Sequence, residues 1–503
     1  MSKIYIETKG CMHNRSNSEA MCALLEKAGH EVFGISKKLS GESFLAQADS
    51  IIFNTCTVKN PTEDAFFSRL AQIKTTYPKK TCIVTGCIPQ ASPDDKRLES
   101  AACLGIDQQY NIASFFQDIK VNQLKHDMKR DSTYNRPCKL TQQTNSCIYI
   151  LPILNGCLGN CTYCKTKHAR GQLKSRPIKD ILLEVQNALC QNKSEIWLVS
   201  EDNGAWGKDN NQNQKRTSSA SIAAPLIVPS TVSTPTFPAL LEAIATLCKE
   251  DQKKKKKKEP CMIRIGMCNP QYVKEFINEF IRLFKKYDCF FQFLHIPLQS
   301  GSNEVLKTMN RKYSVEDFFY CCEMLRNEFP SFSISTDIIC GFPTEQLADW
   351  QKTMEAVKKT KCNTINISKF YPRRKTPAST LSLLKTDIVK SRSRELTTWF
   401  DKQNYNKDYE NKCVKAVISE IKECKKSYLQ NTSIQKSKKN SKHKNKYEEK
   451  KSFQAIARTS NYRQVIVLLN DDKQVQCGSW IWCKVLKTTR DDLRAQLICD
   501  VQE

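Results

Sequence analysis

No stretch of about twenty apolar residues runs anywhere in this 503-residue chain, which excludes a helix that spans a bilayer. The opening, MSKIYIETKG, alternates like a strand. It lacks the apolar segment of a secretory signal and the Arg/Ser-rich character of a transit peptide. The last residues, DDLRAQLICDVQE, are charged and offer no membrane tail. A soluble, cytoplasmic protein with no membrane partner is expected. Negative charge is also scarce: 52 Asp and Glu face 79 Lys and Arg, for a net charge of +27. Residues 253–258 contribute six of these charges and 425–451 a net eight, leaving thirteen on the remainder. A basic surface of that size points to a polyanionic partner, nucleic acid first. Taken alone, the lysine tracts read as solvated low-complexity insertions.

What the chain does have is length enough for two to four domains with sizeable cores. Its 40% apolar, 9% aromatic and 26% charged residues are ordinary for a globular protein. It also has 25 cysteines. Without a secretion signal, and in a chain far too long for a stapled mini-domain, most of them are expected to be reduced, buried hydrophobes and a few to be metal ligands.

The pattern predicts an α/β protein. Residues 1–120 alternate strands with helices: KIYIETK, SIIFNT and TCIVTG read as strands that end just before Cys11, Cys56 and Cys87. In a parallel sheet the carboxyl ends of strands carry the site, so three cysteines distant in sequence are expected to converge on one edge. SNSEAMCALLEKAGH reads as a helix, with Ser16 and Glu19 as a capping box. Residues 121–145 read as a linker. From 146 to 395, βα repetition predicts a full or partial parallel barrel, interrupted by insertions at 208–236 and 249–259 that read as disordered loops. Residues 396–503 turn β-rich, in CVKAVISEI, RQVIVLL and SWIWCKVLK, and predict a small β-barrel split by the lysine-rich insertion 425–451.

The chemistry is densest in NGCLGNCTYCKTKHARG, residues 155–171, where Cys157, Cys161 and Cys164 follow a C-x3-C-x2-C spacing. With His168 they could form a Cys3His zinc site, but structural zinc normally closes four positions at other spacings. Three thiolates suit three irons of a cubane cluster, with the fourth iron open to a small ligand.

This spacing, with the aromatic Tyr163 before the last cysteine, resembles the radical S-adenosylmethionine (SAM) enzymes. The stretches YIETKGCMHNRSNSE, IIFNTCTVKNP and VTGCIPQ resemble the N-terminal domain of the methylthiotransferases. EIWLVSEDNGAWG, FLHIPLQSGSNEVL, DIICGFPTE and FYPRRKTPAS match that family's central region, and ARTSNYRQVIV its TRAM domain, an RNA-binding barrel. CTYCKTKHARG is similar to the branch that modifies N6-threonylcarbamoyladenosine beside the tRNA anticodon. Two departures stand out: GFPTE replaces the usual GFPGE, and RRKTP lacks the glycine usual in its loop.

The resemblance implies two 4Fe–4S clusters, one on Cys157, Cys161 and Cys164, the other on Cys11, Cys56 and Cys87. One SAM would supply a methyl group to sulfur, and a second would yield the radical that takes hydrogen from C2 of the adenine. Tyr163 would pack by the SAM adenine, or simply in the core. Glu201 and Asp202 would take the SAM ammonium, or cap a helix. Gln299 and Ser300 would contact ribose or carboxylate, or form a turn. Lys165, Lys167, His168, Arg170 and Arg176 would hold anticodon-loop phosphates, or make a solvated face. Arg458, Asn461, Tyr462 and Arg463 would present the barrel to RNA. The implied partners are tRNA, an electron donor and a sulfur source, acting on a monomer. Within the family, isopentenyladenosine tRNA and a ribosomal protein are the rival substrates. A non-catalytic RNA-binding cluster protein is the rival outside it.

Overall fold

The computed structural model describes residues 1–57, 60–121, 126–130, 136–209, 236–424, 452–469 and 474–498. The insertion 425–451, most of 208–236 and part of the 121–145 linker lie outside the described residues. Among the described residues no helix is long and apolar enough to cross a membrane.

The first sheet is parallel throughout. Its strands are β1 (Lys3–Thr8), β2 (Glu31–Phe33), β3 (Ser50–Thr55), β4 (Thr81–Gly86), β5 (Ala102–Leu104) and β6 (His126–Asp127), in the order β2-β1-β3-β4-β5-β6. SIIFNT is buried at every position, as a central parallel strand covered on both faces should be. Strands β1, β3 and β4 are neighbours, and Thr55 pairs with Gly86, so Cys56 and Cys87 leave adjacent strands at the same level. The linker does more than connect, because its residues 126 and 127 add the edge strand β6 to this sheet.

The central region begins with β7 (Ile148–Pro152), β8 (Leu154–Asn155) and β9 (Lys174–Ser175), and continues with β10 (Glu195–Val199) and β11 (Met262–Arg264). It ends with β12 (Phe293–His295), β13 (Ser333–Cys340) and β14 (Thr364–Lys369). Parallel sheets β11-β10-β7 and β12-β13-β14 are joined by single parallel bridges, Ile263 to Phe290 and Met267 to His295. The result is an open, six-stranded partial barrel. Its core holds Glu184, buried between Arg136 (3.3 Å) and Arg176 (2.5 Å) and accepting a hydrogen bond from Tyr149 Oη (2.8 Å).

At the C-terminal end, β15 (Cys413–Cys424), β16 (Ser452–Thr459), β17 (Gln464–Leu469), β18 (Trp480–Thr488) and β19 (Leu493–Leu497) close a barrel in the order β15-β16-β17-β19-β18. Sequence alternation had shown β15, β17 and β18.

Two local expectations are corrected. The first helix starts at Met12, with Cys11 as its N-cap, so Ser16 and Glu19 lie inside it and form no capping box. Packing redirects their polar atoms: Ser16 Oγ donates to the Ile150 carbonyl (2.9 Å), and Glu19 accepts from the Thr144 amide (2.8 Å). The segment 249–259 is not a disordered loop. Helix Phe237–Lys254 runs through its first half, and Lys255 then ties down the turn through Asp251 (2.7 Å) and the Leu189 carbonyl (2.6 Å). In RRKTP, Lys375 adopts φ +69°, the left-handed region where glycine is free of strain, whereas Thr344 of GFPTE keeps a negative φ.

Candidate iron–sulfur and SAM site

Cys157, Cys161 and Cys164 occupy the loop between β8 and helix Thr166–Arg170. Gly156 enters that loop at φ +81°, and a Cβ there would lie 2.0 Å from the Gln172 carbonyl oxygen, so only glycine fits. The loop is pinned from behind. Thr162 donates its amide to Met309 O (3.1 Å), its hydroxyl to Thr308 O (3.0 Å), and accepts from the Ala378 amide (2.9 Å). Asn310 Nδ2 donates to Asn160 O (2.9 Å). Two donors face the sulfurs: the Gly159 amide lies 3.2 Å from Cys157 Sγ, and Arg311 Nη1 lies 3.1 Å from Cys161 Sγ.

Cys11, Cys56 and Cys87 converge as the parallel-sheet rule predicted. Gly10 takes φ +134° with its Cα face against Cys56, where a Cβ would come within 2.6 Å of Cys56 Cβ. Cys87 sits close enough to Cys56 and Cys11 for their charges to act on it, and burial pushes its thiol up to about 12. Cys157 is likewise pushed up to about 12, first by burial.

Thiols held neutral by dry surroundings become ligands when a cation replaces their protons, which is how metal sites couple binding to proton release. Among the described residues no three His, Cys, Asp or Glu side chains gather on a single ion. His168, moreover, is exposed on the helix beyond Cys164, so the Cys3His zinc cage does not form. A cubane places each thiolate on a different iron, so its three cysteines need not meet on one ion.

The residues nominated around the triads divide into distinct roles. Arg170 is buried, with Nε 2.9 Å from Glu201 Oε1 and its other nitrogens on Asn155 Oδ1 (3.0 Å), Asn14 Oδ1 (2.8 Å) and His13 Nε2 (3.2 Å). Arg176 is buried on Glu184 and the Pro152 carbonyl (2.7 Å). Neither arginine faces RNA, because a buried guanidinium must spend its donors inside the protein. Lys165 is buried as well, and Lys167 Nζ binds the Cys157 carbonyl and Gln172 Oε1 (2.8 Å), bracing the cluster loop. Only His168 of that run is exposed.

Glu201 commits Oε1 to Arg170 and His13, while its buried Oε2 has no hydrogen-bond partner among the described residues. Asp202 accepts from Asn269 through both oxygens (3.1 and 2.5 Å), and burial raises its carboxyl to about 6. Gln299 turns the chain at φ +70°, and Ser300 Oγ, fully buried, faces Thr353 Oγ1 at 3.4 Å. Tyr163 packs edge-on against Phe342 with ring centroids 6.3 Å apart.

In the barrel, Asn461, Tyr462 and Arg463 do not face outward. Tyr462 sits 4.9 Å from Phe291 and 4.6 Å from Phe293, ring centre to ring centre. Asn461 bonds the Ser331 carbonyl (3.2 Å) and Tyr409 Oη (2.5 Å), and Arg463 lies over the Tyr409 ring. This stretch docks the barrel on the central region, and Arg458, half-buried like Tyr462 and Arg463, lies over the Tyr462 ring.

Sequence reasoning did not single out His13, Asn14, Asn269, Arg311 or Arg373. His13 and Asn14 stand directly behind Cys11, a local signal. Arg311 and Arg373 carry none, since contacts made across the fold bring them to Cys161 and to Thr57, where Arg373 donates to Oγ1 (2.7 Å) and pairs with Glu63 (2.9 Å).

Comparison with known proteins agrees with this architecture. Residues 151–357 match the Radical SAM superfamily model and residues 3–104 the uncharacterized protein family UPF0004. A threonylcarbamoyladenosine tRNA methylthiotransferase of Drosophila melanogaster is 32% identical over 85% of this chain and 70% of its own length. A probable enzyme of the same name from Pyrococcus horikoshii is 33% identical over 83% of this chain and 89% of its own. The human relative is matched over 62% of its length, so the chain spans only about two thirds of the animal proteins. The radical SAM methyltransferase TsrM of Kitasatospora setae, solved with cobalamin and a [4Fe-4S] cluster, superimposes with a TM-score of 0.52 at 12% identity, over 75% of this chain and 77% of that one. At that identity the likeness is one of fold. Taken with the paired cysteine triads, these matches place the chain in the threonylcarbamoyladenosine tRNA methylthiotransferase family.

Proposed function

We propose that this chain is a radical SAM enzyme that converts N6-threonylcarbamoyladenosine, next to the tRNA anticodon, to its 2-methylthio derivative. Cys157, Cys161 and Cys164 would hold the cluster that binds SAM, and Cys11, Cys56 and Cys87 a second 4Fe–4S cluster. When bound, the first cluster would supply the electron that cleaves SAM to a hydrogen-abstracting radical, and the second the sulfur that takes the hydrogen's place. The chain's own residues set the stage. Thr162, Asn160 and Lys167 fix the cluster loop through backbone bonds. Arg311 donates to Cys161, and Glu201 keeps one buried carboxylate oxygen available to an ammonium group. The adenine must be unstacked to reach such a site, which suits an unpaired anticodon loop.

The observation that supports this reading is the pair of cysteine triads, one behind the parallel strands β1, β3 and β4 and the other in the loop after β8, with Arg170 near Cys87 and Cys11 and bonded to Asn155, two residues before Cys157. The test is mass spectrometry of tRNA nucleosides after reaction with wild type and with single Cys→Ala variants. Loss of Cys157, Cys161 or Cys164 is expected to abolish SAM cleavage. Loss of Cys11, Cys56 or Cys87 is expected to abolish methylthio product while sparing cleavage. Product on isopentenyladenosine alone, or product from the Cys11→Ala variant, would overturn the assignment.

A further inference from the structure

A buried cation beside cysteine ligands is an expensive thing for a fold to keep, and Arg170 is one. Its helix, Thr166–Arg170, packs against helix Cys87–Ala91, with the neighbouring Ala169 in the same apolar cluster as Cys87. The guanidinium lies within electrostatic reach of Cys87 and Cys11.

Its remaining partners all adjoin cysteine-bearing segments. His13 and Asn14 follow Cys11, Asn155 precedes Cys157, and Glu201 neighbours Asp202, whose charge acts on Cys157. Four protein partners at 2.8–3.2 Å use a planar fork that a lysine cannot reproduce.

We infer that Arg170 is a positioning residue that ties Asn155, at the start of the Cys157 loop, to His13 and Asn14 behind Cys11, and holds a fixed positive charge on the Cys11/Cys56/Cys87 side. This rests on the proposal that the second triad carries a cluster. Reduction adds one negative charge to a cluster, and net charge and hydrogen bonds to sulfur are among the levers on its potential. Arg170 therefore favours the reduced state, and Glu201, at 2.9 Å, opposes it in part. His13 lies between the two, with Nδ1 on Glu201 (3.1 Å). Swapping the arginine and the glutamate for neutral residues must therefore move the potential in opposite directions.

The test uses the full chain with Cys157, Cys161 and Cys164 replaced by Ala, so that only the second triad can hold iron. After anaerobic reconstitution, iron and sulfide per chain are measured, and the midpoint potential is read by EPR-monitored titration. The parent should hold about four irons. Arg170→Gln should lower the midpoint by at least tenfold in the reduction equilibrium, about 59 mV for one electron. Glu201→Gln, close in shape and easier to fold, should raise it. Arg170→Lys should keep the charge and most of the potential, but alter the EPR line shape because the fork is gone.

A parent without iron overturns the second cluster and the inference with it. Four irons and a midpoint unmoved by Arg170→Gln overturn the inference alone, and so does a midpoint that falls in Glu201→Gln.

Discussion

Replacing Tyr462 by Ala separates two meanings of the same residue. In the structure its ring is a plug between the barrel and the central region, with centroids 4.9 Å from Phe291, 4.6 Å from Phe293 and 6.5 Å from Trp197. Truncating a fully buried aromatic costs about 3–5 kcal/mol. Tyr462 is only partly buried, and two close aromatic pairs are worth about 0.5–1.5 kcal/mol each, so about 2–3 kcal/mol is the expected loss of docking free energy. A direct reporter crosses this interface: the Gln292 amide donates to the Ser460 carbonyl at 2.9 Å. If its exchange needs the barrel to lift away, hydrogen–deuterium exchange there should accelerate about 30- to 140-fold at about 1.4 kcal/mol per decade. Tyr462→Phe keeps the ring and should stay near wild type. Unchanged exchange at Gln292, together with a large fall in tRNA affinity, would refute the docking argument and restore Tyr462 as a base-stacking residue.

Two further predictions test the framework. Glu184→Gln leaves Arg136 and Arg176 buried without their carboxylate and should destabilise the central region by about 3–5 kcal/mol in denaturant unfolding. The two arginines and Tyr149 hold the Glu184 carboxyl below its ordinary value against its burial. Its stabilising contribution is therefore complete above the ordinary carboxylate range and is lost as pH falls through the depressed value, and acid titration of the Gln variant should lack that component. At Lys375, the left-handed φ of +69° means that Lys375→Gly should leave stability within about 1 kcal/mol of wild type, whereas Lys375→Val should cost about 1–2 kcal/mol. Equal stabilities for the two would show that the loop relaxes.

Much of the molecule was written in local pattern. Apolar runs such as SIIFNT and TCIVTG became β3 and β4, the cysteines behind them met at one edge, and C-x3-C-x2-C became the loop between β8 and helix Thr166–Arg170. These features depend on periodicity and on strand ends, which neighbouring residues largely decide. The charged residues behaved otherwise. Arg170 and Arg176 looked like an RNA-facing run with Lys165 and Lys167, yet burial gave them Glu201 and Glu184 as partners. ARTSNYR looked like a barrel's RNA edge, yet Asn461 and Tyr462 joined that barrel to Ser331 and Phe293. Sequence determined the strands, the cysteine spacing and the sign of the surface charge. Tertiary structure alone decided which cations reach solvent and which are buried among carboxylates and amides, because a buried charge is stabilised by partners that folding brings from far along the chain.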